Sequence, residues 1–210
     1  MDIGIIGSGK IGATAARGLA RAGHRVTLAN SRGPDTLADT VAELGPNARA
    51  ATVEEAARAG DVVLVAIPLH AIGSLPADAL AGRIVVDASN YYPQRDGQVP
   101  ELDAGELTST ELLARELPGA RVVKAFNSMS WDLLGSEGRP HAPREERLAL
   151  LVAGDDPEAK ATVSGLIEDL GFGAVDTGSL AEGGRRQGVG APLYGNPVTV
   201  AEADRVLAAS

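Results

Sequence analysis

Apolar and polar positions along this chain follow two alternating rhythms. Short unbroken apolar runs, typical of strands buried on both faces of a parallel sheet, are separated by stretches with the three-to-four-residue spacing of amphipathic helices. Residues 3–6, 25–29, 61–67, 83–87, 121–126 and 148–153 read as strands, with shorter ones expected at 48–51 and 173–176. Residues 11–22, 35–44, 53–59, 109–117, 157–170 and 200–208 read as helices. Gly23, Gly45-Pro46 and Pro118-Gly119 act as helix stops, and Pro68 ends the strand before it. Strands alternating with helices predict an α/β fold built on a doubly wound, mainly parallel sheet. The stretch 178–197, rich in Gly and Pro, breaks the rhythm and reads as an ordered loop or a mobile flap.

The first strand runs straight into Gly7-Ser8-Gly9-Lys10-Ile11-Gly12, and a helical stretch follows. A dinucleotide pyrophosphate needs this arrangement. Gly7 allows a tight turn, Gly9 lets the backbone come close to phosphates, and Gly12 lets the helix pack on the strand. The helix N-terminus then offers free N–H groups and a partial positive charge to the anion. The expected architecture is therefore a Rossmann-like domain over 1–177, with 178–210 as a small C-terminal extension on the substrate side rather than an independent domain.

The second strand decides which dinucleotide. An NAD-binding version places Asp or Glu at its end, where the ribose hydroxyls lie. Here the strand ends Leu28-Ala29-Asn30-Ser31-Arg32, without a carboxylate. Arg with a hydroxyl donor suits a ribose 2′-phosphate. Ser31 and Arg32 are assigned to that phosphate, with Asn30 nearby, and the expected cofactor is NADP.

Other strand ends supply the rest of the candidate site. Ala66-Ile67-Pro68 should pass beside the nicotinamide ribose, with His70 close by as a possible contact or an incidental helix-start residue. Ser89, Asn90 and Asn127 stand at later strand ends, where a carboxamide could be bound or a loop capped.

Composition removes other chemistries. There is no Cys, so thiolate catalysis and Cys-bound metals are excluded. His24, His70 and His141 are too scattered for a metal-ligand motif, and no metal is expected. A net charge of −9 with no basic run argues against nucleic acid as a partner. No apolar stretch approaches the roughly 18 residues of a membrane span, and no leader-like segment precedes the first strand. A cytoplasmic location is expected by default. No residue stands out as catalytic. Carbonyl reduction calls for a proton donor, whereas hydride transfer between two redox rings needs mainly alignment.

The chain resembles the NADPH-dependent reductases of the deazaflavin coenzyme F420 and their bacterial relatives. The likeness rests on Gly7–Gly12, Asn30-Ser31-Arg32, Ala66-Ile67-Pro68, Asp87-Ala88-Ser89-Asn90-Tyr91 and Val123-Lys124-Ala125-Phe126-Asn127. It implies NADP on the glycine loop, reversible hydride exchange with F420 as co-substrate, and a homodimer. Two stretches set this chain beside a bacterial branch and apart from archaeal members: residues 90–97 and the segment 183–194. Two rival readings stay open. One is an NADPH-dependent reductase of a small imine, ketone or quinone, in which Tyr91, Tyr92 or Tyr194 could be the acid. The other is a redox sensor that binds NADPH without turnover. Hydroxyacid dehydrogenases and pyrroline-carboxylate reductases share the glycine motif but carry a long all-helical C-terminal domain, which nothing past residue 130 supplies.

Overall fold

The computed structural model describes residues 1–209; the last residue of the segment 178–210 lies outside the described residues. Eight strands form one sheet: β1 (Asp2–Ile6), β2 (Arg25–Ala29), β3 (Ala48–Ala50), β4 (Val62–Val65), β5 (Ile84–Asp87), β6 (Arg121–Lys124), β7 (Ala149–Gly154) and β8 (Gly173–Gly178). The helices are α1 (Lys10–Arg21), α2 (Ala38–Leu44), α3 (Val53–Ala59), α4 (Ala77–Leu80), α5 (Pro93–Asp96), α6 (Pro100–Asp103), α7 (Ser109–Glu116), α8 (Trp131–Ser136), α9 (Pro157–Asp169), α10 (Leu180–Arg186) and α11 (Val200–Ala208).

The strands lie in the order β3-β2-β1-β4-β5-β6-β7-β8. Every neighbouring pair is parallel except β6 with β7. The order turns back between β1 and β4, which makes that gap the switch point where ligands settle on such sheets. This is the Rossmann-like α/β fold that the strand–helix rhythm predicts.

Alternation within the strands explains why the sheet is buried on both sides. Ile3, Ile5, Val62, Leu64 and Val86 pack with α1 and α9 residues such as Leu19 and Leu166. Their neighbours Ile6, Val63, Val65 and Val85 face Leu80, Leu113 and Leu117 across the other side. A third cluster joins Leu151 and Val175 to Leu193 and Val200, and so fixes α11 and the chain before it against the far edge.

Three expectations are corrected. The helix over 35–44 is broken: a 3-10 turn, Pro34–Leu37, precedes α2. The strand expected to reach residue 126 stops at Lys124, and Phe126 has a φ of 64° that bends the chain away from the sheet. The stretch 178–197 is not a featureless flap. Seven of its residues form α10, whose N-terminus is capped by the Ser179 side chain accepting from Glu182 N–H. Gly183 and Gly184 lowered the apparent helix tendency there, yet they are packing residues. A Cβ on Gly183 would lie 2.6 Å from Ala153 Cβ, and one on Gly184 would lie 3.1 Å from Thr108. Short helices α4, α5, α6 and α8 were not anticipated; α5 and α6 each begin with a proline, whose fixed φ suits a first turn.

Candidate dinucleotide groove

The glycine loop follows β1 at the switch point, and each glycine does a separate task. Gly7 has a φ of 115°, and a Cβ there would lie 2.3 Å from Ala66 O. A Cβ on Gly12 would lie 1.9 Å from Gly7 O, so this position is closed to any larger residue. Around Gly9 the opposite holds. A Cβ on Gly9 would meet nothing within 4 Å, so it would project into open space at the start of α1. Gly9 caps α1 without a side-chain hydrogen bond, and no acidic residue stands in the helix's first turn. The positive end of a twelve-residue helix's dipole therefore stands at the glycine loop with no carboxylate in the first turn to offset it.

Two hollows meet at this loop. The outer one, about 490 Å³, is bordered by Ile6, Gly7, Ser8, Gly9, Asn30, Ser31, Arg32, Val53, Ala66, Ile67, Pro68, Ala71, Ser74 and Leu75. The inner one, about 320 Å³, is bordered by Gly9, Lys10, Ile11, Ala66, Ile67, Pro68, Ala88, Ser89, Asn90, Tyr92 and Arg95. They share Gly9, Ala66, Ile67 and Pro68, so together they form one groove running from the end of β2 to the end of β5. A dinucleotide has this shape: two nucleosides flanking a pyrophosphate.

At the outer end, Asn30 is scaffold. Its amide donates to Thr36 Oγ1 at 3.0 Å and to Ser8 Oγ at 3.2 Å, and its Oδ1 accepts from Arg32 N–H at 2.9 Å. It thereby ties the turn after β2 to the glycine loop. Ser31 and Arg32 are exposed on that turn, and the Arg32 guanidinium has no acidic partner among the described residues.

At the inner end, Lys10 borders the groove and its Nζ lies 4.9 Å from the Trp131 ring centre. Tyr92 and Arg95 stand opposite. The guanidinium lies 4.9 Å from the Tyr92 ring centre and donates to Asn90 O at 2.7 Å. The Tyr92 and Tyr194 hydroxyls hydrogen-bond to each other, which ties the chain after α10 to the inner hollow. Burial and the bond to Tyr92 both push the Tyr194 hydroxyl up from its ordinary value.

His70 and Asn127 lie outside the residues that border the groove. His70 Nδ1 is 3.0 Å from Asp96 Oδ1. Burial pushes the Asp96 carboxyl up, but hydrogen bonds from Arg95, Tyr92 N–H and His70 outweigh it and hold the group well below the usual carboxylate range. Asn127 is buried behind Asn90. It donates to Asn90 Oδ1 at 3.1 Å and to Gln187 O at 2.7 Å, and Asn90 donates back to Asn127 O at 3.0 Å. Tyr91 also turns away: its hydroxyl donates to Asp103 Oδ1 at 2.7 Å and accepts from Val99 N–H. Among the described residues no cluster of three or more His, Asp or Glu could hold a metal ion. No described helix is long and apolar enough to cross a membrane.

Residues 2–91, which carry the glycine loop, the 30–32 turn and most of the inner rim, match the family model of the NADP oxidoreductases that depend on coenzyme F420. The match spans the N-terminal part of the chain, a little under half of its length. Two solved structures share its fold over nearly the whole length. The hypothetical protein SMa0349 of Sinorhizobium meliloti is 33% identical, with a TM-score of 0.83 and 95% of each chain covered. A protein of Arthrobacter sp. FB24 assigned to the F420-dependent NADP reductases is 29% identical, with a TM-score of 0.70 and 86% of each chain covered. The metalloreductase STEAP3 of Rattus norvegicus is 36% identical over 182 residues, which is 85% of this chain. The chain spans about a third (34%) of that relative's length.

The groove also has supporting residues that carry little signal in the sequence. Lys124, Asp87 and Thr110 form a buried cluster behind Ser89. Two clues lie in the sequence: a Lys inside the apolar run Val-Val-Lys-Ala-Phe, and an Asp ending Ile-Val-Val-Asp. Gln187, fully buried, has no comparable signal.

Proposed function

We propose that the groove holds NADPH along its length and that the protein transfers a hydride between this cofactor and the deazaflavin coenzyme F420. The continuity of the two hollows across Gly9 carries the proposal. Open space where a Cβ would stand at Gly9, and an Arg32 side chain without an acidic partner among the described residues, fit a pyrophosphate and a 2′-phosphate respectively. In this assignment Gly7, Ser8, Gly9, Lys10, Ile11 and Gly12 form the pyrophosphate turn. Asn30 holds Ser31 and Arg32 towards the 2′-phosphate. Ala66, Ile67 and Pro68 wall the centre, and Ser89 and Asn90 meet the nicotinamide end. His70 and Asn127 support that end from outside. When bound, the nicotinamide supplies the hydride; the protein's share is to fix its position and to leave room beside Tyr92 and Arg95 for a second ring. The segment from residue 178 onward serves as the substrate-side cover, and a homodimer belongs to the same proposal.

One observation favours a second reading. The Tyr92 hydroxyl lies at the inner hollow and is hydrogen-bonded to Tyr194, so a tyrosine proton is at hand for reduction of a small imine, ketone or quinone. An acceptor panel separates the readings. NADPH oxidation with F420 and not with small carbonyls supports the first. Turnover of ketones, imines or quinones alone supports the second, and NADPH binding without any turnover supports a sensor.

A further inference from the structure

Behind the inner hollow lies an ion pair with almost no solvent contact. Lys124 and Asp87 are register partners at the ends of β6 and β5, and their side chains are 1% and 0% exposed. Their charged atoms stand 3.5 Å apart, and Thr110 Oγ1 bridges them, accepting from Lys124 Nζ at 2.9 Å and donating to Asp87 Oδ2. Burying such a pair is costly, and an apolar pair of equal size usually stabilises a core as well or better. Stability alone is therefore a weak reason for its presence.

Apart from a hydrogen bond from Lys124 Nζ to Ser109 Oγ at 3.3 Å, the pair's other contacts converge on one residue. Lys124 Nζ donates to Ser89 O at 3.0 Å, and Asp87 Oδ1 accepts from Ser89 N–H at 2.8 Å. Both main-chain polar groups of Ser89 are thus held by the buried charges. Its side chain is not: Ser89 borders the inner hollow, and its Oγ is buried without a hydrogen-bond partner among the described residues. A buried hydroxyl left unpaired carries a desolvation penalty that a bound polar group would relieve.

We infer that the Lys124–Asp87 pair is a positioning device that presents the Ser89 hydroxyl to the carboxamide-bearing half of the bound dinucleotide. This inference rests on the assignment of NADPH to the groove. Lys124, Asp87 and Thr110 act through Ser89 and touch no ligand themselves. The outer half of the groove, which would hold the 2′-phosphate and the adenosine, does not depend on them.

The test uses two probes, NADPH and 2′-phospho-ADP-ribose, which lacks the nicotinamide. Their dissociation constants are measured by calorimetry on the full chain. Ser89→Ala and Lys124→Met should each weaken NADPH about tenfold and leave 2′-phospho-ADP-ribose within about twofold. The double variant should bind NADPH no worse than Ser89→Ala, because the lysine acts through the serine. Equal weakening of both probes by Lys124→Met, full additivity in the double variant, or an unchanged NADPH affinity in Ser89→Ala overturns the inference. If Lys124→Met does not fold, Thr110→Val takes its place under the same criteria, since it removes only the bridging hydroxyl. Wild-type protein that binds neither probe overturns the cofactor assignment itself, a separate failure.

Discussion

At the residue scale, the account depends on a few side chains with no alternative occupation. Arg32 is the clearest. It is exposed, has no acidic partner among the described residues and borders the outer hollow, the end proposed for the 2′-phosphate. A charge-assisted hydrogen bond contributes about 1.5–3 kcal/mol, so Arg32→Ala should weaken NADPH roughly ten- to a hundredfold while NADH affinity stays within about twofold. Fluorescence titration of both cofactors reads the ratio, and an unchanged ratio removes Arg32 from the site. Gly12 makes the complementary case, where space rather than charge decides. The added methyl of Gly12→Ala would lie 1.9 Å from Gly7 O, with backbone rather than a yielding side chain as its neighbour. We expect a loss of about 1–3 kcal/mol, typical of overpacking, seen as a drop of roughly 2–12 °C in melting temperature, together with loss of NADPH binding. A melting temperature equal to wild type would show that the loop has room the glycine does not need.

At the element scale, the Tyr92 side of the inner hollow is braced by segments from different parts of the chain. The turn and helix α5 after β5 bring Tyr92, Arg95 and Asp96; the segment after α10 brings Tyr194. Because the two hydroxyls join these segments, Tyr194→Phe should loosen the cover and raise the KM for the hydride acceptor several-fold, on the order of one hydrogen bond, while NADPH affinity is retained. A change in NADPH affinity instead would place Tyr194 at the cofactor. Asp96 anchors α5, and its depressed acidity has a pH signature. A carboxylate whose folded value is lowered contributes stability above its unfolded value of about 3.9, and the contribution fades as pH falls through the folded value. Thermal melts of wild type and Asp96→Asn should therefore differ most near neutral pH and converge as pH drops below about 4. A gap that stays constant through that range would mean the hydrogen bonds do not favour the charged form.

The elements also show what the sequence could and could not reveal. Strands buried on both faces announce themselves as unbroken apolar runs, so β1, β4 and β5 are legible from Ile3–Ile6-type patterning alone. The glycine loop is legible because its spacing is dictated by close backbone contact. α10 was hidden because Gly183 and Gly184 mimic a loop while serving tight packing against β7 and Thr108. His70 and Asn127 were placed by position along the chain, but direction is a tertiary property: one side chain turns to Asp96 and the other to Gln187. The Lys124–Asp87 pair was hidden for the same reason, since their adjacency arises only when β6 pairs with β5.

At the scale of the whole molecule, a single sheet carries the entire groove on one edge. The β1–β4 switch point sets its centre, β2 leads into the turn that carries Ser31 and Arg32, and β5 supplies the inner rim. The antiparallel β7 and its parallel neighbour β8 extend the sheet beyond β6, and the chain packed on them brings Tyr194 to Tyr92. The most direct test of the central claim follows the visible absorbance of F420 mixed with excess NADPH and a catalytic amount of the protein. The account predicts that the absorbance bleaches over many turnovers and returns when excess NADP⁺ is supplied. Absorbance that stays constant while the protein demonstrably binds NADPH would contradict it.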